Sequence, residues 1–288
     1  MRRPPVVSAT HPAGFGLVEL MVALVLMASL MVVIHSALSN SQHQAQRLSH
    51  VAEERQMARS AVQLIERETR MAGSGWGRDT VMAARGGAPW SLWAVNPGYG
   101  GSGQADSLVL VGAWGAMTTL TAPMATVNAS MQVADITGFN AGDFVVLTNG
   151  VATHMLQVTG TQATPPTLLH ANTSSYNSGQ VQWPLGGGYP SGTTSVYKVT
   201  MVTYRYDSTT YHRPALVRQE YLQAPQVVAY NVDGFRVWYD MQDGTLTRNP
   251  NNLNFVDQII PVVLTRVTDP RRATLRDSVW ASIRPRTF

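Results

Sequence analysis

Gly98, Gly100 and Gly103 stand in the G-x-G-x-x-G spacing that lets a tight turn bring backbone N–H groups against a dinucleotide pyrophosphate. That chemistry needs a strand before the turn and a helix after it. Here Pro97 precedes the glycines and Ser107–Val111 reads as a strand beyond them, so the segment is expected to be a flexible loop. His154, His170 and His212 are isolated from one another and would share a metal only if the fold gathered them. Asp240, Asp243, Asn251, Asn252, Asn254 and Asp257 concentrate the hard oxygen donors that calcium takes. Their spacing is not that of an EF-hand, and a solvated loop is the expected role. The sequence contains no G-x-S-x-G elbow, H-E-x-x-H pair or P-loop. Zero cysteines exclude disulfides, Cys-ligated zinc, thiol catalysis and iron–sulfur clusters. The reading is of a protein that is not an enzyme, with no catalytic, cofactor-binding or metal residues and no cofactor.

The elements that would carry these residues follow from composition and charge. The chain has 288 residues, 44% apolar and 13% charged, with 21 basic against 17 acidic side chains. A net charge of +4 is too small to imply nucleic acid as the main partner. Lys198 is the sole lysine. Residues 86–204 hold only Asp106, Asp135, Asp143 and Lys198 as charged groups, in a Thr-, Ser-, Gly- and Asn-rich stretch that suggests a β-rich, exported surface. Arg266, Arg271, Arg272, Arg276, Arg284 and Arg286 make the C-terminus basic. They read as a solvated face, or as contacts to acidic neighbouring subunits, ahead of DNA or anionic lipid.

The amino terminus is the most informative segment. After a polar leader, residues 1–14, the run FGLVELMVALVLMASLMVVI at residues 15–34 carries one charge, Glu19. As a helix this run matches the roughly 30 Å hydrocarbon core of a bilayer. An uncleaved signal anchor, oriented by Arg2 and Arg3, is the plain reading. A cleaved secretory signal fits less well, because the small residues Ala28-Ser29 lie inside the run. Glu19 resists both readings: a carboxylate one turn into an apolar helix costs a few kcal/mol without a partner.

Residues 14–24, Gly14-Phe15-Gly16-Leu17-Val18-Glu19 and the run that follows, resemble the class III signal of type IV pilins and type II secretion pseudopilins. The resemblance implies cleavage by a prepilin peptidase between Gly14 and Phe15, N-methylation of Phe15, and Glu19 as the fifth mature residue. Glu19 would then meet the N-terminal ammonium of the next subunit and set the axial register of a filament.

No Pro or Gly interrupts Leu17 to Ala72, which predicts one long helix. Leu48, Val51, Ala58, Val62, Ile65 and Ala72 form an apolar stripe, with Arg47, Glu53, Arg55, Arg59, Glu66 and Arg70 opposite. His35, His43 and His50 are read as helix-surface residues. Gly73, Gly75 and Gly77 are expected to stop the helix. Strands are expected at Ser107–Val111, Met131–Thr137, Asp143–Thr148, His154–Thr159, Ser195–Tyr206, Ala215–Tyr221, Val227–Asn231, Phe235–Tyr239, Pro261–Thr265 and Ser278–Ile283. Asn149-Gly150 is the expected hairpin turn. Trp76, Trp90 and Trp93 are read as core beneath a loop. The fold class is α+β: a long N-terminal membrane-spanning helix packed on an antiparallel β-rich head, as in pilins. The expected organisation is a leader at 1–14, a transmembrane and filament-core helix at 15–38, its amphipathic continuation at 39–72 and a globular head at 73–288.

Val202–Tyr206, Leu216–Arg218 and Val232–Tyr239 resemble the C-terminal half of PilW-type minor pilins and GspJ-type pseudopilins. Gly142–Leu147, Leu156–Thr159 and Arg70–Gly73 are more similar to the PilW type. Ser36 stands where many major pilins carry a helix-breaking proline, which favours a minor subunit. This implies a minor pilin in type IV pilus assembly, with a pseudopilin at the tip of a secretion filament as the alternative. A membrane-anchored adhesin or enzyme ranks third. The implied partners are other pilin or pseudopilin subunits, the prepilin peptidase, an inner-membrane assembly platform and membrane lipid; DNA is not expected. The implied location is the inner membrane, single-pass with the head outside the cytoplasm, and then a pilus or periplasmic filament.

Overall fold

The computed structural model describes residues 16–75, 80–85, 88–178, 188–267 and 275–284. The chain divides into two compact units, Met1–Ala52 and Glu53–Phe288. Helix α1, Leu17–Met71, is continuous through Ser36, whose hydroxyl donates to the Val33 carbonyl at 2.8 Å. Within the first unit, large apolar side chains from Leu17 to Leu38 are exposed. This is the one helix among the described residues long and apolar enough to cross a membrane.

In the second unit Glu54, Ala58, Ala61, Val62, Ile65, Glu68 and Thr69 of the helix are buried. The spacing is three and four, as one packed face requires. Leu48, expected on that face, is instead 70% exposed. It lies in the first unit, ahead of the buried face. The helix ends at Gly73 and Gly75, both at positive φ, which spares a Cβ clash. The Trp114 indole donates to the Met71 carbonyl at 2.9 Å, and Gly73 N–H to Val111 O at 2.9 Å, so the last turn is held by the sheet.

The strands follow in order: β1 Thr80–Arg85, β2 Ala88–Trp93, β3 Val95–Gly98, β4 Ser107–Gly112, β5 Met117–Thr119 and β6 Met131–Gln132. Next come β7 Phe144–Thr148, β8 Thr153–Gln157, β9 Gly160–Ala163, β10 Pro166–Leu169, β11 Ser195–Asp207 and β12 Ala215–Glu220. The last are β13 Gln226–Tyr230, β14 Val232–Met241, β15 Leu246–Thr247, β16 Val256–Val267 and β17 Leu275–Trp280. They form a ten-stranded sheet centred on β11, a three-stranded sheet β6-β10-β9 and a four-stranded sheet β15-β14-β16-β17. Strand β11 pairs with β5 and β7 along its first half and with β4 and β12 along its second. Pairing is antiparallel except for Met82↔His154, where β1 meets β8 in parallel.

Strand β7 is buried along its whole length because both faces are covered. Phe144 and Val146 join the main core with Ala58, Val62, Ile65, Phe235 and Val263. Val145 and Leu147 join a second core with Met131, Leu156 and Leu168 against the small sheet. Two expectations change. Strands β1 to β3, and the short β5, β9, β10 and β15, form where the sequence reading places no strand, and the strand expected at Met131–Thr137 ends at Gln132. There the Asp135 carboxylate accepts the Thr137 N–H at 2.8 Å and turns the chain.

Candidate functional site

Gly14 and Phe15 lie outside the described residues. Glu19 occupies the first helical turn and is exposed. Its Oε2 accepts the Gly16 N–H at 3.3 Å, while Leu20 N–H bonds to Gly16 O at 3.1 Å. This is the reach-back half of a capping box: a third-position carboxylate satisfying an N–H that the helix cannot. Around it the helix presents Val18, Val22 and Leu26, all exposed. The arrangement offers an anionic group on an otherwise apolar rod, suited to lipid or to another such helix.

Where the helix joins the head, three polar ties appear that the sequence reading missed. The buried Glu68 accepts Arg218 Nε at 3.0 Å and pairs with its terminal nitrogen at 2.8 Å, and the Tyr204 hydroxyl donates to its other oxygen. Burial, reinforced by the Glu68 carboxylate, pushes the Tyr204 phenol above its usual range. Burial alone would lower the Arg218 pKa, but the Glu68 carboxylate more than offsets it, so the net shift is upward. Glu54 accepts the Asn231 amide at 2.7 Å. Asn231, at positive φ, turns the chain from β13 of the large sheet into β14 of the four-stranded one. Arg55 meets Asp277 of β17 at 2.6 Å.

The G-x-G-x-x-G glycines fall in the β3–β4 hairpin, with Gly98 paired to Ser107. A strand therefore stands on both sides, with Pro97 inside β3, and the segment after Gly103 leads into a strand, as expected. The loop is also more organised than a flexible segment would be. Buried Asp106 accepts Gly100 N–H at 3.1 Å, Val237 N–H at 2.9 Å and both ends of the Arg248 fork at 2.7 and 2.9 Å. Arg248 in turn lies 5.1 Å from the centre of the Tyr99 ring.

The remaining candidates separate. His154 Nδ1 lies 2.6 Å from the buried Tyr189 hydroxyl, whereas His170 meets the Val127 carbonyl at 2.8 Å. Among the described residues no group of three His, Asp or Glu side chains could hold a metal. In the acidic stretch Asp243 accepts Thr245 N–H, Asn252 caps a short 3₁₀ turn, and Asp257 pairs with Arg284 at 2.9 Å. Arg266 and Arg276 both face Asp233, at 3.7 and 3.0 Å. The basic C-terminus therefore finds acidic partners within its own chain; Arg271, Arg272 and Arg286 lie outside the described residues. Trp93 is half-buried against the main core, while Trp76 and the Trp90 side chain lie outside the described residues.

Asp207, at the end of β11, accepts the backbone N–H groups of Thr209 and Thr210, the Thr210 hydroxyl and Arg205. These bonds, the backbone ones first, hold its carboxyl well below the usual range. A carboxylate lowered in this way stabilises the fold above its unfolded pKa, near 3.9, and loses that contribution as pH falls through the folded value. The penalty of Asp207→Asn in thermal melts is expected to be complete above about pH 4 and to shrink below it. A penalty constant from neutral pH into strong acid would contradict this.

Comparison with curated proteins and with solved structures finds no match. The family model described as the prokaryotic N-terminal methylation motif does match, over residues 11–34, which span Gly14, Phe15 and Glu19. The chain thus carries a class III signal running into a long apolar helix, followed by an antiparallel β-rich head, an α+β arrangement consistent with a type IV pilin-like protein.

Proposed function

We propose that the chain is a minor pilin, made as an inner-membrane precursor and assembled into a type IV pilus. The observation that carries this reading is the methylation motif at residues 11–34 leading without interruption into a helix whose first turns expose only apolar side chains beyond Glu19. Such a motif points to a structural subunit rather than an enzyme. Residues 1–14 are the leader. Peptidase cuts between Gly14 and Phe15 on the cytoplasmic side, and the new N-terminal amine of Phe15 is methylated. Residues 15–38 lie first in lipid and then in the filament core, 39–72 continue the helix, and 73–288 form the head outside the cytoplasm. Glu19 pairs with the ammonium of a neighbouring subunit as helices leave the bilayer, where an unpaired carboxylate is costly.

A pseudopilin of a secretion filament is the second reading. The segments resembling both types, Val202–Tyr206, Leu216–Arg218 and Val232–Tyr239, fall on β11, β12 and β14, part of the framework beneath the main core. That location explains why they do not separate the two.

Mass spectrometry of the intact chain from cells with and without the prepilin peptidase tests the proposal. The expected result is loss of residues 1–14 and one added methyl group in the first, and an unprocessed chain in the second. A chain retaining Met1 to Gly14 in both would overturn it.

A further inference from the structure

We propose that the cleft between the β3–β4 loop and strands β14 and β16 is a binding site for a monoanionic carboxylate. The cleft has a volume of about 390 Å³ and is lined by Gln104, Tyr206, Asp233, Gly234, Arg236 and Leu264 among others. That volume is in the range of small-molecule sites, roughly 300–1,000 Å³. All of it lies in the head, so the inference stands independently of the pilin reading.

Arg236 lines the cleft. It is half-buried on β14, between Phe235 and Val237, which point into the core. Its neighbours in sequence and space are paired: Arg205 with Asp207, Arg248 with Asp106, Arg266 and Arg276 with Asp233. Arg236 alone of this group has no hydrogen-bond or ion-pair partner among the described residues. A guanidinium carries five donors, and partly withdrawing it from water without acceptors is unfavourable. The Tyr206 hydroxyl and the Gln104 amide, on the same cleft, also lack partners among the described residues. Two half-buried residues with unpartnered polar groups, Arg236 and Tyr206, and the exposed Gln104 therefore line one space.

Charge and shape select the ligand. Arg236, Arg266 and Arg276 against the single Asp233 leave the cleft region positive, which attracts an anion. The guanidinium fork matches the two oxygens of a carboxylate, with Tyr206 and Gln104 able to donate to the same oxygens. Asp233 forms part of the wall, so a second negative charge on the ligand would be repelled. This favours a carboxylate over a phosphate dianion. The carboxylate can belong to a small molecule or to an acidic side chain of another protein.

The test is a side-chain nitrogen NMR titration of the full chain in detergent micelles at fixed ionic strength, with Arg236→Gln, or Arg236→Lys if the first does not fold, assigning the Arg236 Nε–Hε resonance. The probes are lactate, a blocked tripeptide with a central glutamate, and inorganic phosphate. The expected result is saturable displacement of that resonance by lactate, by the tripeptide or by both, at least tenfold tighter than by phosphate. Tyr206→Phe should weaken it about tenfold, as loss of a hydrogen bond to a charged group implies. Response to lactate assigns a free carboxylate as sufficient; response to the tripeptide alone assigns a protein side chain. No saturable displacement by either, phosphate binding as tightly as carboxylate, or an affinity untouched by Tyr206→Phe overturns the proposal.

Discussion

Glu68→Ala is expected to lower the unfolding free energy of the head by about 3–5 kcal/mol, because it strips the counter-charge from a buried arginine. Arg218 keeps only 18% of its side-chain surface in water and pairs with Glu68 at 2.8 Å; its other acidic neighbour, the half-buried Glu220, is 3.9 Å away. Removing the carboxylate also leaves the Tyr204 hydroxyl without its acceptor inside the core. For a domain of this size the loss corresponds to a fall in melting temperature of about 6–20 °C. Tyr204→Phe removes only one hydrogen bond and is expected to cost less, about 1.5–3 kcal/mol. Thermal melts of the two variants side by side check the order. Equal, small effects would mean that the helix is held to the sheet by its apolar face alone.

Glu19→Ala is expected to abolish incorporation into filaments while leaving the precursor processed and in the membrane. This rests on the proposed function. The substitution removes the only charge between Phe15 and Ile34, so insertion in lipid becomes easier rather than harder. The loss falls on assembly, where a neighbouring ammonium has no counter-ion, and on the helix cap at Gly16 N–H, a smaller contribution. Quantifying the chain in sheared filament and membrane fractions measures the effect. Wild-type incorporation of Glu19→Ala, with the leader removed as normal, would show that register is set elsewhere.

The long helix and the longer strands from Ser107 onward were legible because each has a strong local signature, whereas the short strands β5, β9, β10 and β15 were not. Leu17 to Ala72 lacks breakers, and β7 and β8 flank Asn149-Gly150, whose glycine takes φ +82° as the turn requires. The missed elements lack such signatures. Strand β3 contains Pro97, tolerated because β3 pairs only with β4 and needs no donor on its other edge. Strands β1 and β2 are separated in sequence by Gly86-Gly87, and β2 includes Pro89, a combination that reads as loop in isolation.

Charge misled in a similar way. Glu54 and Glu68 were overlooked because a carboxylate on an amphipathic helix usually marks the wet face. Yet Glu68 lies three residues after Ile65 and four before Ala72, on the stripe that is buried. Its position carried the signal that its chemistry concealed. Nothing in sequence places Arg218, Tyr204, Arg248 or Asp106 at their partners, since those contacts span more than a hundred residues.

The ties between the helix and the two large sheets have a mechanical meaning. Glu68 anchors to β11 and β12, Arg55 to β17, and Glu54 to the Asn231 corner where the chain passes from one sheet to the other. A pull along the helix from Glu53 to Met71 would load these contacts in shear and in parallel, so that no single bond has to break alone before the others take strain. Tension would be divided between the sheets and meet at Asn231, making that corner the place where a stretched head first reveals whether it yields as one body or as two.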